Sequence, residues 1–229
     1  MPPFSTLDLV ALAWFVGSWI AYALVLEHTA YGRASLNALM NRHRETWMRL
    51  MLARDIRIVD TQLLASLANG TAFFASTSLI AIGGAITILQ ASGGIIEVVA
   101  TLPLGIATTR VAWDAKTIGL AIVFVYAFFK FAWSYRLFNY VAIMLGAMPP
   151  WDEKDTPAAI DHAARTARLF EIAGRHFNRG QRAFFLALGY LGWFVGPWVF
   201  IGTTSAVILV MWRRQFFSES HHAIADVQK

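Results

Sequence analysis

The chain has 229 residues, of which 57% are hydrophobic and 14% are charged, and its formal net charge is +5. A soluble domain usually carries about 25% charged residues, so this balance indicates a membrane protein. The absence of cysteine excludes disulfides, thiolate metal sites, iron–sulfur clusters and cysteine nucleophiles.

Four apolar runs are long enough to cross a bilayer as helices, which takes roughly 20 residues each. They cover approximately residues 7–26, 61–89, 117–141 and 183–212. We expect Pro197 to kink the fourth run, because proline cannot donate a hydrogen bond to the carbonyl of Trp193. The sequence therefore predicts an all-α integral membrane protein, built as a four-helix transmembrane bundle.

Small residues recur four positions apart within these runs, a spacing that lets helices approach closely. The fourth run contains Gly192 and Gly196, and the second contains Ala68, Ala72 and Ser76. We assign these residues to helix packing, and they favour a homo-oligomer or a subunit of a membrane complex.

Charge divides the loops into two classes. Thirteen basic residues lie between spans one and two or between spans three and four, against five at the other side. Because cytoplasmic loops carry the excess of lysine and arginine, we predict a multi-pass protein of the bacterial inner membrane with both termini outside. Arg213 and Arg214, directly after the fourth run, weaken this prediction.

Both arginine-rich loops have apolar residues at helical spacing, over approximately residues 35–58 and 157–177. The pattern predicts two cytoplasmic amphipathic helices. Such helices lie on an anionic membrane surface, cap the end of a bundle or bind a partner protein, and we expect anionic lipids as partners on this side.

The third run contains Lys130, although a charge inside a membrane helix is costly and usually functional. Counting turns inward from the cytoplasmic edge of each span places Asn69 and Ser18 near the level of Lys130. We treat these three residues as a candidate intramembrane polar site. Lys130 can instead extend towards the interface, face a small wet crevice or lie on an ion or lipid pathway.

A second polar group is predicted where the spans meet the cytoplasmic loops. Its members are Glu27, Asp60, Arg136, Asn139 and Arg182. Antiparallel neighbouring spans would bring them to one level. Two interpretations remain open, namely a structural ion-pair lock and a site where arginines hold an anion or a phosphate-bearing lipid headgroup.

Catalytic motifs are missing from the sequence. It has no nucleophile elbow, no phosphate-binding loop and no metalloprotease helix, and none of its six histidines lies deep in a span. We therefore expect no catalytic residues, no metal, no cofactor and no nucleic-acid partner.

Several short motifs resemble a family of four-helix membrane proteins from bacteria and plants, known as domain of unknown function 599. They are Asn41-Arg42 with Trp47-Met48, Asn69 before Phe73 to Thr77, Phe129-Lys130-Phe131 with Trp133, Ser134, Arg136, Asn139 and Tyr140, Asn178-x-Gly180-x-Arg182, and Trp193-Phe194-x-Gly196-Pro197. The resemblance covers nearly the whole chain. It implies four spans and brings no established activity, substrate or cofactor.

Two functions follow as expectations. The first is a non-enzymatic oligomeric scaffold or accessory subunit, which the small-residue spacings favour. The alternative is a transporter or channel for a small anion or lipid headgroup that uses Lys130 and the arginine cluster.

Overall fold

A computed structural model describes residues 3–100 and 109–225, and every regular element in these ranges is helical. The helices are α1 Thr6–His28, α2 Ala30–Arg33, α3 Leu36–Leu52, α4 Ile58–Gln90, α5 Ser92–Ala100, α6 Arg110–Gly146, α7 Pro157–Tyr190, α8 Gly192–Val195, α9 Pro197–Phe216 and α10 Glu219–Ala225, with a 3-10 turn at Trp151–Glu153. The expected all-α fold class is confirmed.

Side-chain caps determine where several helices begin. The Ser35 side chain accepts a hydrogen bond from the backbone N–H of Ala38 at the start of α3. The Thr156 side chain does the same for Ala159, and Pro157 occupies the first turn of α7, where a missing N–H is tolerated. Helix α7 thus begins at the residue where the second amphipathic segment was predicted to begin.

Three helices of the described chain are long and apolar enough to cross a membrane, namely α1 with 23 residues, α4 with 33 and α6 with 37. They match the first three predicted spans, and they make the chain a multi-pass membrane protein by length and composition. At about 1.5 Å per residue, α4 and α6 are roughly 50 and 55 Å long, well beyond the thickness of a hydrocarbon core.

The fourth predicted span, residues 183–212, is not one helix. Helix α7 continues from the predicted amphipathic segment 157–177 up to Tyr190, and the chain then breaks at Gly196 before α9 begins at Pro197. Helices α7 and α9 pack as an antiparallel hairpin. Two adjacent helix breakers therefore produce a reversal of direction where the sequence predicted a kink.

Contacts along this hairpin establish its antiparallel direction. A Cβ placed on Gly189 would lie 3.2 Å from the Cα of Thr204. One turn earlier in α7, the Phe185 ring lies beneath the guanidinium of Arg214, near the end of α9. In the described chain, five long helices (α1, α4, α6, α7 and α9) thus run along the bundle, in place of the four that were predicted.

An odd number of long helices puts the two ends of the chain at opposite ends of the bundle. Phe4, just before α1, stacks on Trp193 beside the hairpin turn. His221 of α10 instead contacts the carbonyl of Ala34, just before α3. The prediction of both termini on one side of the membrane assumed a single helix over 183–212.

Two apolar cores fill the bundle. The first lies among α1, α6, α7 and α9, around buried residues such as Phe15, Phe131 and Phe200. The second joins α3, the first turns of α4, the last turns of α6 and the first half of α7, around Met48, Val141 and other buried residues. From the predicted amphipathic segments 35–58 and 157–177, Met51 and Phe170 are buried in this second core, whereas Ile58 and Ile160 are exposed.

Helices α6 and α7 approach closely because a glycine lies at their contact. A Cβ on Gly180 would lie 2.7 Å from the Phe131 ring, which is fully buried. Any larger residue would push the two helices apart. This contact also fixes the register, since it places the residue before Phe131, Lys130, beside the turn of α7 that carries Arg179.

Candidate functional site

The predicted polar group at the loop ends is brought together only in part. Glu27 of α1 contacts Arg182 of α7, as predicted, and it also binds Arg179. Asp60 is fully buried elsewhere, where it accepts hydrogen bonds from Trp47 Nε1 at 2.6 Å and from Arg54.

The two α6 members of that predicted group lie apart from Glu27. Arg136 is exposed and donates from Nε to the hydroxyl of Tyr140 at 2.7 Å. Asn139 is exposed as well. The group therefore divides into a Glu27 cluster, an Asp60 cluster and an exposed stretch of α6.

The three residues of the predicted intramembrane site are not brought together. Asn69 is exposed on α4, and the Ser18 hydroxyl donates to the carbonyl of Phe15 in its own helix at 3.1 Å. Lys130 is half-buried, with Nζ 5.0 Å from the centre of the Tyr126 ring. The Trp19–Tyr126 contact places Lys130, four residues after Tyr126, about one turn of α1 away from Glu27 and more than one turn away from Ser18.

The predicted packing residues have different surroundings. A Cβ on Gly192 would overlap the hydroxyl of Thr203, so this glycine permits α8 to lie against α9. Ala68 is buried and Ala72 is half-buried, whereas Ser76 is exposed. Gly196 forms the break before α9 and has open space where a Cβ would lie.

The most polar surface near the end of α1 is a cleft among α1, α3 and α7, with a volume of about 440 Å³. Two arginines of α7 converge there on one carboxylate. Arg179 binds Glu27 with both Nε, at 3.0 Å from Oε1, and Nη2, and Arg182 donates to the same Oε1. Glu27 is thus held by both arginines where the apolar run of α1 ends.

Further polar side chains line the wall that α3 contributes. Asn41 donates to the carboxylate of Glu171 at 3.1 Å and accepts a hydrogen bond from Arg44. Gly174 leaves room for that arginine, because a Cβ there would lie 2.8 Å from the guanidinium. Burial lowers the pKa of Arg44, and the charge of Glu171 opposes this shift.

The cleft has an excess of positive charge. Its charged lining consists of four arginines and two glutamates, namely Arg33, Arg175, Arg179, Arg182, Glu27 and Glu171. Asn37, Asn41 and Asn178 add amide groups that can donate hydrogen bonds to an anion. Three of the arginines, Arg175, Arg179 and Arg182, follow one another at spacings of four and three residues on α7. From the sequence, Arg182 was predicted to belong to the polar group, whereas Arg175 and Arg179 counted only as loop charge.

A smaller cavity of about 200 Å³ adjoins the cleft. The two share Leu26, Asn37, Asn178 and Arg182 as lining residues. Arg182 is only 9% exposed, so its guanidinium is a largely desolvated charge between two polar spaces. A buried cation of this kind favours an anionic partner.

A second charged cluster, at the opposite end of the bundle, escaped the sequence analysis. Lys116 is 8% exposed and donates from Nζ to the carbonyl of Trp193 at 2.9 Å, and its Nζ lies 3.9 Å from Asp8 Oδ1. The indole of Trp193 donates to the same Asp8 oxygen at 2.8 Å. Pro197 was the available signal, because it leaves the carbonyl of Trp193 without its usual helical donor.

The distance between the two charged clusters along α1 is close to the thickness of the hydrocarbon core of a membrane. Asp8 and Glu27 are nineteen residues apart on α1, which corresponds to about 28 Å at 1.5 Å per residue. The hydrocarbon core of a bilayer is about 30 Å thick. The cleft therefore lies at the level where a membrane around α1 would meet water.

The side chains of the cleft are mostly hydrogen-bond donors of the kind that can bind an anion. Arginine and amide donors outnumber the two carboxylates, and the described residues contain no group of three or more His, Asp or Glu side chains that could hold a metal ion. Two arginines converging on one group provide the bidentate geometry that carboxylates and phosphates share.

Comparisons with known proteins place the chain in a family. Searches of curated proteins and of solved structures found no match. The model of one family, described as "Protein of unknown function, DUF599", matches residues 10–220. Because this match covers most of the chain, the protein belongs to the DUF599 family.

Proposed function

We propose that this multi-pass membrane protein binds a phosphate-bearing anion in the cleft among α1, α3 and α7, without catalysing a reaction. The observation that carries the proposal is the convergence of Arg179 and Arg182 on the Glu27 carboxylate inside a polar cleft. A carboxylate held in this way marks a position where an anion is favourable. A phosphate oxygen can take the same donors or those of Arg175 and Asn178.

The proposal predicts that binding depends on the cleft arginines. Wild-type protein and the Arg179→Gln and Arg175→Gln variants would be titrated with glycerol 3-phosphate and with phosphatidylglycerol, and retention measured by native mass spectrometry. We expect each variant to weaken binding at least about tenfold, since a hydrogen bond to a charged group contributes roughly 1.5–3 kcal/mol.

Arg165→Gln is the matched control, because Arg165 is an exposed arginine of the same helix that pairs with Asp161 outside the cleft. Arg175→Gln leaves the Glu27 pairs in place and separates lost binding from lost folding. Equal binding by the wild type and both cleft variants would refute the proposal.

A second candidate function is that of an oligomeric scaffold or accessory subunit. Gly17 of α1 and Gly70, Gly83 and Gly84 of α4 have no atom within 4 Å of where a Cβ would lie. Glycine costs a helix about 1 kcal/mol relative to alanine, and small residues let membrane helices approach closely. We propose that these faces of α1 and α4 receive helices of another copy.

The test is the oligomeric state in lipid nanodiscs. We expect Gly83→Leu to shift the wild-type assembly towards monomer, while Gly202→Leu on α9 leaves it unchanged. A wild-type protein that stays monomeric at every concentration would exclude this candidate.

Transport of the bound anion is the alternative that Lys130 motivates. It requires that the anion cross the membrane as well as bind in the cleft. Lys130→Met should abolish anion flux into vesicles while leaving the unfolding temperature unchanged. Unchanged flux would remove this alternative and leave the binding proposal intact.

We also propose that the end carrying the cleft faces the bacterial cytoplasm from the inner membrane. The α7–α9 hairpin puts Arg213 and Arg214 at the same end as the thirteen basic loop residues. Arg110 and Lys116 lie towards the other end. Arg213 and Arg214, which weakened the charge bias in the sequence, therefore support it in this arrangement.

A further inference from the structure

Anion binding in the cleft does not by itself distinguish a soluble phosphate compound from a lipid headgroup. We infer that the occupant is a membrane phospholipid, which approaches between α1 and α6 and whose phosphate is contacted by Lys130 as well as by Arg179. This inference rests on the proposed anion site and adds the class of ligand and its route.

The first supporting feature is the level of Lys130. Phe131 packs against Gly180, so Lys130 lies beside the turn of α7 that carries Arg179, and Arg179 binds Glu27. The Trp19–Tyr126 contact sets Lys130 about one turn inward of Glu27, so its long side chain can extend to the level where phospholipid headgroups begin. A lysine at this height reaches phosphate without crossing the membrane interior.

The second feature is the seam between α1 and α6. Helix α1 packs mainly on α9, whereas α6 packs mainly on α4 and α7. Across the seam, the Trp19 and Tyr126 rings meet edge to face with centres 5.5 Å apart. The Lys130 ammonium lies over the same Tyr126 ring at 5.0 Å.

Helical spacing aligns the residues of the seam. On α1, Trp19 and Glu27 are two turns apart on one face, and on α6 Tyr126, Lys130 and Trp133 also share a face. The Trp133 ring meets His176 of α7 at 6.4 Å. Tryptophan and tyrosine beside basic residues are typical of the depth at which protein meets lipid headgroups.

The third feature is an unsatisfied polar atom at the back of the seam. His176 Nδ1 is buried and has no hydrogen-bond partner. The positive charges of Lys130, Arg179 and Arg175 all act on this imidazole, as does the negative charge of Glu27. An imidazole nitrogen without a partner, under the influence of three positive charges, suits the phosphate of a lipid.

The experiment compares a lipid with its soluble headgroup. The protein is reconstituted in phosphatidylcholine nanodiscs that contain phosphatidylglycerol, and retained lipid is measured by native mass spectrometry. Glycerol 3-phosphate is titrated in parallel. We expect the wild type to bind phosphatidylglycerol at least about tenfold more tightly than glycerol 3-phosphate, and Lys130→Met and Arg179→Gln each to lower phosphatidylglycerol retention at least about fivefold.

Lys130→Arg keeps the charge and should restore retention, and Lys154→Met, far from the seam, should have no effect. Phosphatidylglycerol retention unchanged by Lys130→Met would overturn the inference, and so would equally tight binding of the lipid and glycerol 3-phosphate by the wild type. The failure of the proposed function has a different signature, because the wild type would then retain neither probe.

Discussion

Lys116 shows how one side chain repairs a broken helix. Pro197 has no N–H for the carbonyl of Trp193, four residues earlier, and the Lys116 ammonium donates to that oxygen instead, at 2.9 Å. Asp8 provides a nearby negative charge and also accepts from the Trp193 indole. One lysine thus connects the start of α6 to α8 and to the start of α1.

We predict that Lys116→Met destabilises the fold by about 1–3 kcal/mol, the usual cost of a buried polar group that loses its partner. The free energy of unfolding would be measured by steric trapping in bicelles. Asp8→Asn in the same chain should recover part of the loss, because it removes the carboxylate that lost its cation. A fully additive double variant would argue against coupling between the two residues.

His176 predicts how stability depends on pH. Burial, followed by the positive charge of Lys130, lowers the pKa of His176 below the usual value of about 6.5. The unfolded chain therefore binds this proton first as the pH falls. We expect the free energy of unfolding to decrease as the pH drops below about 6.5, until the folded pKa is passed.

The check is an unfolding titration between pH 8 and pH 5. His176→Gln should flatten the acid slope, and His43→Gln, at an exposed position of α3, should not. A variant with the wild-type slope would show that other groups control the acid response.

The sequence identified Glu27 and Arg182 as neighbours at the end of the spans, but it missed Arg179 and Asn41 of the same cleft. The reason is that the sequence does not give the rotation of each helix about its own axis. Chain position gives the level of a residue along a helix, whereas the direction of its side chain depends on how α1, α3 and α7 pack. The same limit explains why Lys130, Asn69 and Ser18 were grouped although the structure separates them.

At the scale of elements, the α7–α9 hairpin is the feature that differs most from the prediction, which had a single helix over residues 183–212. Hydropathy and amphipathic periodicity divided α7 at about residue 178, because its first half packs in the polar end and its second half lies in the apolar bundle. The chain continues as one helix across that change. Composition therefore located the segments well, and it could not show where the helix continues or reverses.

The close contact between α6 and α7 depends on Gly180. We expect Gly180→Ala to destabilise the protein by about 1–3 kcal/mol, since the added methyl group would overlap the buried Phe131 ring. Gly202→Ala of α9 is the control, because its Cβ would meet open space and helix propensity should make it neutral or stabilising by up to about 1 kcal/mol. Equal effects in thermal unfolding would contradict this view of the contact.

At the scale of the whole molecule, the described ends of the chain lie at opposite ends of the bundle, and we expect them on opposite sides of a membrane. The chain has no cysteine, so single cysteines report their side without interference. We predict that a membrane-impermeant maleimide labels Ser5→Cys and Ala53→Cys on opposite faces of the membrane. Ala225→Cys should be labelled on the same face as Ala53→Cys. Labelling of Ser5→Cys and Ala225→Cys from one face would contradict the hairpin.

The separation of the two charged clusters also governs which bilayer suits the protein. Ion pairs hold α1 at Asp8 and at Glu27, so this side presents a fixed apolar height of about 28 Å, while α4 presents an apolar helix of 33 residues on the other side. Each ångström of hydrophobic mismatch costs a fraction of a kcal/mol. A uniform membrane cannot match both flanks, and we expect the molecule to collect at borders between thin and thick lipid domains.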